Sequence, residues 1–328
     1  MSKPPRRAPR PATRRQPAPA ARSGARLVPG RDGGVGRGGR DGGVGRGGRD
    51  ARHPLGGDQV EGRQAVRELL VAGRRPVREV WIAEDLDPSP QIDDIERWAA
   101  RRRARVLVVP RGRLAAAAGT DAPQGVLALA RPLEEADLEG LCRPRRGVPP
   151  FLLVLDGVTD PHNVGSLLRT AECAGVTGVV LPRHRAAHVT PTVAKVAAGA
   201  IEHLPIAVVP GIPTALRFLA ERGVVSVGLD AGAEASIFDV DHDGGQAVAL
   251  VMGAEGRGLA SLTRRRCAAL AAIPQFGSLE ALNVAAAGAV ACFELARRRT
   301  QVVRRPAART PGAPGAPASL PSGPPEVG

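Results

Sequence analysis

The sequence predicts an α/β protein: a mostly parallel sheet with helices on both faces, preceded by a smaller α/β domain and flanked by low-complexity tails. Three observations predict it. Between residues 151 and 299, short apolar runs alternate with longer segments of helical spacing, the pattern of parallel strands joined by crossover helices. A shorter alternation of the same kind fills residues 58–130. Outside these stretches Pro, Gly and Arg dominate, a composition that cannot recover its ordering entropy by burial.

With aromatics at 2% of 328 residues and no tyrosine, the core must be aliphatic. Cys142, Cys173, Cys267 and Cys292 lie far apart and form no CxxC pair. That spacing points to reduced thiols in a cytoplasmic protein, not to zinc or a redox dithiol. No metal site is expected, and no apolar run is long enough to span a membrane. The net charge of +14 sits in the tails: residues 1–57 carry 14 Lys and Arg against 3 Asp, and the middle of the chain is close to neutral. A charge-based case for nucleic acid is therefore a case about the tails.

Residues 1–57 form the first tail, with Arg-Asp-Gly-Gly-Val-Gly-Arg-Gly-Gly repeated from Arg31 and from Arg40. It reads either as an Arg-Gly tether for RNA or as a plain soluble tail. In the small domain, Val60 to Val71 predicts a helix with Val60, Ala65, Val66, Leu69 and Leu70 on one face. Val77 to Ala83 reads as a strand, Ile92 to Arg103 as a helix, and Arg105 to Val109 and Gly125 to Ala130 as strands. Arg101 to Arg103 read either as a phosphate contact or as a solvated helix end, where cations suit the macrodipole. Residues 131–149, rich in charge and Pro, read as a linker. The large domain, 150–300, offers strands at Phe151–Leu155, Gly178–Leu181, Ile206–Val209, Val224–Leu229, Ala247–Met252 and Ala271–Ile273. Helices are expected at Val164–Ala174, Thr192–Ala200, Pro213–Glu221, Leu259–Arg264 and Ala281–Arg299, before a tail at 301–328.

Polar signals stand at three strand ends, where sheets of this kind bind ligands. The first runs from Asp156 through Asp160-Pro161-His162-Asn163 to Arg169. Asn163 reads equally as a helix cap and as a substrate contact. Arg169 reads as a substrate contact or as a partner of Glu172 three residues on. His162 has no second ligand nearby. The second signal is Gly253-Ala254-Glu255-Gly256-Arg257-Gly258. Its glycines permit close approach and positive φ, and it lacks the Gly-Lys-Ser/Thr of a phosphate loop. Glu255 either binds ligand hydroxyls or amines, or pairs with Arg257 or Arg169. The third is Ile273 to Val284, a proline- and glycine-bearing turn from which Asn283 opens a long Ala-rich helix.

Together these segments resemble the three motifs of the SPOUT-class, TrmH-type ribose 2′-O-methyltransferases, in order and spacing across residues 151–299. Residues 58–130 look like that family's L30e-like substrate-binding domain. The stretches Asp156 to Asn163 and Val251 to Gly256 are most similar to bacterial enzymes that methylate a guanosine ribose of 23S rRNA. The resemblance implies a trefoil-knot sheet, a homodimer packed through the knot and the last helix, and S-adenosylmethionine as cofactor, held by Gly253, Ile273 and Leu282. It implies catalytic roles for Arg169, Asn163, Glu255 and Asn283. Ala281 and Ala285 stand where the family commonly has serine, which leaves open a second reading, a knotted RNA-binding or ribosome-assembly protein of weakened catalysis. A different α/β nucleotide-binding enzyme built on the Gly253–Gly258 loop is a third.

Overall fold

The computed structural model describes residues 55–304 except 121, 185–188, 243 and 280. The two tails, apart from a few residues at their inner ends, lie outside the described residues.

The small domain is a four-stranded sheet. Gln59–Glu61 (β1) runs antiparallel to Val126–Ala130 (β4), β4 antiparallel to Val77–Ala83 (β2), and β2 parallel to Arg105–Val109 (β3). Arg63–Ala72 (α1) and Pro90–Arg102 (α2) cover one face, packing Val66, Leu69 and Ile95 against Val80 and Val126. Arg111–Ala117 (α3) seals the other with Leu114 on Val109 and Leu127. The sequence placed Val60 on a helix; it is a strand residue instead. Gly62, at φ 94°, separates the pairing strand from the helix, a conformation glycine adopts without steric cost. The strands at Val77 and Arg105 fall where expected. Helix α3 was not anticipated, because its Arg-Gly-Arg start carries no apolar period.

Residues 131–149 are packed against the second sheet. Leu133 joins its core, Ala136 N–H donates to the Ile206 carbonyl at 2.8 Å, and Leu138–Leu141 (α4) is capped by Asp137.

The large domain holds six parallel strands: Phe151–Asp156 (β5), Gly178–Pro182 (β6), Ile206–Val209 (β7), Val225–Leu229 (β8), Val248–Gly253 (β9) and Ala269–Ala271 (β10). Their order across the sheet is β10-β8-β9-β5-β6-β7. The central strands are apolar throughout because both faces are covered. Phe151, Leu153 and Leu155 point to the layer formed by Pro161–Cys173 (α5), Pro191–Val196 (α6) and Val284–Arg304 (α9). Leu152 and Val154 point to the layer of Ile212–Ala220 (α7), against which Ser261–Arg266 (α8) packs. The last strand lies two residues earlier than predicted. Pro274 ends the apolar run, but pairing with β8 stops at Ala271 opposite Leu229.

The β8–β9 connection, residues 230–247, arches over the chain that follows β10. Ala235 and Ile237 exchange backbone hydrogen bonds with Ala272, both at 2.8 Å. Further along, the Phe238 and Val240 carbonyls accept from Arg298 near the end of α9. These contacts tie the loop to the chain from Ala272 into α9, the segment that the sequence likeness implies is knotted.

A buried ion pair joins the two sheets. Arg75, just after α1, donates to both carboxylate oxygens of Glu202, at 2.6 and 3.1 Å, and to the Gly57 and Arg131 carbonyls. Both side chains are almost fully enclosed, at 2% and 0% exposure. Every lone pair and proton of such a pair needs a partner to offset desolvation, and the two carbonyls serve Arg75 in that way.

Candidate active site

The strand order determines where a crevice can form. The loop leaving β5 runs toward β6, whereas the loop leaving β9 runs the opposite way toward β10. Strands β5 and β9 are neighbours, with Asp156 opposite Gly253. Their C-terminal ends therefore flank the switch point at which sheets of this type bind ligands.

Helix α5 starts here. Asp160 is its cap, accepting from the backbone N–H groups of His162 and Asn163 at 3.4 and 2.9 Å, and Pro161 occupies the first turn. The capping alternative for Asn163 is thus overturned, and its buried side chain bonds elsewhere. Its Nδ2 donates to Glu255 Oε2 at 3.0 Å, and its Oδ1 accepts from Asn283 Nδ2 at 3.1 Å. Asn283 Oδ1 in turn accepts from the Ala285 and Ala286 N–H groups at 2.9 and 3.4 Å, capping α9. One orientation of each amide satisfies the chain: a carboxylate only accepts and a helix N–H only donates. Three of the four expected polar residues are thus linked end to end, from the start of α9 to the Glu255 carboxylate.

Glu255 sits on a tight loop. Ala254 and Gly258 exchange both backbone hydrogen bonds, at 3.0 and 2.8 Å, and Gly256 and Gly258 have φ of 75° and 65°. A side chain at Gly253 would run into the Gly258 and Leu259 backbone. The glycines do what their spacing indicated, closing a turn that aims Glu255 at Asn163, and neither arginine alternative for Glu255 is formed among the described residues.

Arg169 is exposed, about 9 Å further along the α5 axis by the 1.5 Å helical rise. It is not part of the amide–carboxylate chain, and the pairing with Glu172 is absent among the described residues. His162 is exposed, and no group of three His, Cys, Asp or Glu among the described residues could hold a metal. Cysteine nucleophiles are disfavoured. Burial, with Asp156 and Asp230 nearby, pushes the Cys267 thiol up to about 11, and burial pushes Cys292 up to about 12, so both stay protonated at neutral pH.

Two cavities meet at the 253–258 loop. One, of about 110 Å³, is lined by Leu229, Asp230, Met252, Gly253, Ile273 and Leu282, and opens past the exposed Gln275 and Ala281. It brings together Gly253, Ile273 and Leu282, the three residues expected to hold a cofactor. Asp230 and Gln275 were missed in the sequence. Asp230 follows directly on a strand end, and that position was its available signal. The other cavity, of about 700 Å³, lies across the loop, with Asp156, Thr159, His184, Pro210 and Arg257 in its wall.

The model of the SpoU rRNA Methylase family matches residues 150–293, and a model for RNA 2′-O ribose methyltransferase substrate binding matches residues 59–136. The 23S rRNA (guanosine-2'-O-)-methyltransferase RlmB of Ralstonia nicotianae is 41% identical over 74% of this chain and 96% of its own. The chain belongs to the SpoU rRNA methylase family. A second relative of this SpoU methylase, the enzyme of the same name from Xanthomonas campestris, is 43% identical over 73% of this chain and 96% of its own. Among solved structures, the AdoMet-bound rRNA methyltransferase of Sinorhizobium meliloti is 27% identical, with a TM-score of 0.60 over 73% of this SpoU methylase and 86% of that chain.

Proposed function

We propose that this SpoU methylase transfers a methyl group from S-adenosylmethionine to the 2′-hydroxyl of a guanosine in 23S rRNA. The observation that carries the reading is the Glu255–Asn163–Asn283 chain at the sheet's switch point, next in sequence to the Gly253 and Leu282 that line the smaller cavity. The relatives' printed activities support the substrate, and the AdoMet-bound neighbour supports the cofactor.

The smaller cavity fits such a cofactor in kind: apolar Leu229, Ile273 and Leu282 for a purine face, with the Asp230 carboxylate beside them. Gly253, Ile273 and Leu282 would hold it, and when bound it supplies an electrophilic methyl on a good leaving group. The target nucleotide is taken at the exposed side of the Glu255–Asn163–Asn283 chain. What the chain must then do is orient a weakly acidic hydroxyl in line, which by itself supplies much of the acceleration. Asn163 holds Glu255 in place, Asn283 holds Asn163, and the Glu255 carboxylate takes the proton that the hydroxyl gives up. Arg169, always charged, clamps the adjoining phosphate and stabilises developing alkoxide charge. The exposed Phe276, Leu279, Leu282 and Phe293 support a homodimer through α9 and its preceding loop, checked by sedimentation at micromolar concentration. An rRNA substrate supports a cytoplasmic location.

The test is transfer of labelled methyl to 23S rRNA, with ribose methylation mapped in cells with and without the gene. Arg169→Ala should abolish transfer while leaving S-adenosylmethionine affinity by calorimetry nearly unchanged. Wild-type turnover in that variant would defeat the role given to Arg169. Cofactor binding with no transfer to any rRNA would favour the binding-protein reading that Ala281 motivates.

A further inference from the structure

The smaller cavity has one charged feature in a mostly apolar wall. Asp230 is the one ionisable side chain in its lining among the described residues, next in the chain to apolar Leu229. It stands directly after β8. Its N–H donates to the Ala271 carbonyl at 2.9 Å, which fixes this strand end against β10. Its carboxylate is mostly enclosed and is held from two sides. Oδ1 accepts from the Gly232 N–H at 2.9 Å, and Oδ2 lies 2.8 Å from Arg264 Nε on α8. A carboxylate offers about four lone-pair sites. One site on each oxygen is taken by these contacts, so each oxygen keeps an acceptor site.

We infer that Asp230 receives the two ribose hydroxyls of S-adenosylmethionine, with Arg264 as the residue that positions it. Two neighbouring acceptors on one planar group match two neighbouring donors on a sugar ring. An acidic side chain takes a ribose hydroxyl in dinucleotide-binding sheets for the same reason. Leu229, Ile273 and Leu282 then lie where the purine attached to that ribose needs an apolar surface. The rival role for Asp230 is a countercharge to the donor's sulfonium. Arg264 opposes it: a guanidinium already meets the carboxylate's charge, and a second cation would be set beside the first. Hydroxyls ask only for lone pairs. The inference rests on the cofactor reading and deepens it, since it names the contact that separates a ribonucleoside donor from its deoxy analogues.

The test is calorimetry on the full-length protein with S-adenosylhomocysteine and its 2′-deoxy and 3′-deoxy analogues. Removing either hydroxyl should weaken binding to wild type about tenfold or more, the scale of a hydrogen bond to a charged acceptor. These deletions are made on the ligand, so the result does not depend on a variant folding. Asp230→Ala should weaken binding of the parent compound to a similar degree and leave the three ligands nearly equal. Arg264→Gln should narrow the difference among them and Arg264→Lys should restore it, a pattern that a purely structural contact would not give. Equal affinity of wild type for all three ligands overturns the inference. So does an Asp230→Asn variant that loses affinity for S-adenosylmethionine but not for S-adenosylhomocysteine, because the carboxylate would then serve the sulfonium. Discrimination against the deoxy analogues without transfer to any rRNA leaves this contact standing and defeats the rRNA reading. Normal transfer without discrimination does the reverse.

Discussion

At the scale of single residues, the amide chain is the most exposed to test. Asn163→Ala removes both the donor that orients Glu255 and the acceptor that orients Asn283. A hydrogen bond to a charged group contributes ~1.5–3 kcal/mol, so turnover should fall by one to two orders of magnitude with S-adenosylmethionine affinity little changed, as measured by single-turnover transfer. Asn283 was legible as a polar side chain at the turn into a long Ala-rich helix, though the helix was expected from Ala281 and starts at Val284. The Asn163–Glu255 bond was not, because the two are 92 residues apart and no local spacing encodes which carboxylate a buried amide will meet. The thiols give a second check. Cys292, pushed up to about 12 by burial, and Cys267, pushed up to about 11, should resist iodoacetamide in the native state at neutral pH. Exposed Cys173 should be alkylated first, as peptide mass spectrometry would show. The protected pair should become reactive only as the pH climbs toward those values or the fold opens.

Among elements, α5 and α6 approach closely. A methyl at Gly165 would lie 2.6 Å from Val196 Cβ and 3.1 Å from the Val193 carbonyl. Neither a stiff β-branched side chain nor a helix backbone yields easily. Gly165→Ala should therefore lower stability by about 1–3 kcal/mol, read from the denaturation midpoint, without altering the residues of the crevice. The elements that the sequence placed well are those whose burial is uniform. Strands β5 and β9, enclosed on both faces, announce themselves by composition, whereas helix α5, expected from Val164, begins at Pro161 with Asp160 as its cap. Strand β1 did not, since three residues pairing at a sheet edge are too few to show alternation, and Val60 fits a helical period by coincidence. Strand β10 was misplaced because apolar residues continue past the point where β8 ends as a partner.

For the molecule as a whole, the Arg75–Glu202 pair sets how the substrate domain sits on the catalytic sheet. Breaking it from one side leaves an enclosed charge, at a cost of ~3–5 kcal/mol. Arg75→Met should thus lower the denaturation midpoint and expose residues 131–149 to limited proteolysis. Arg75→Met combined with Glu202→Leu should recover much of the loss, because no buried carboxylate then remains. Neither partner was singled out in the sequence: 127 residues separate them, and each alone reads as a surface charge. Sheet order was equally hidden, although the parallel class was not, because alternation fixes handedness and direction but not which strand inserts beside which.

The 253–258 turn is a party wall: Gly253 and Gly258 line the small cavity, and Glu255 reaches Asn163 on the nucleotide's side. Whatever occupant presses on one side of so thin a partition is felt on the other. Mutual influence between two ligands is equal in both directions. If donor occupancy tightens the grip on the nucleotide by some factor, the nucleotide tightens the grip on the donor by that same factor, and the spent donor need not be held as firmly once the acceptor has left.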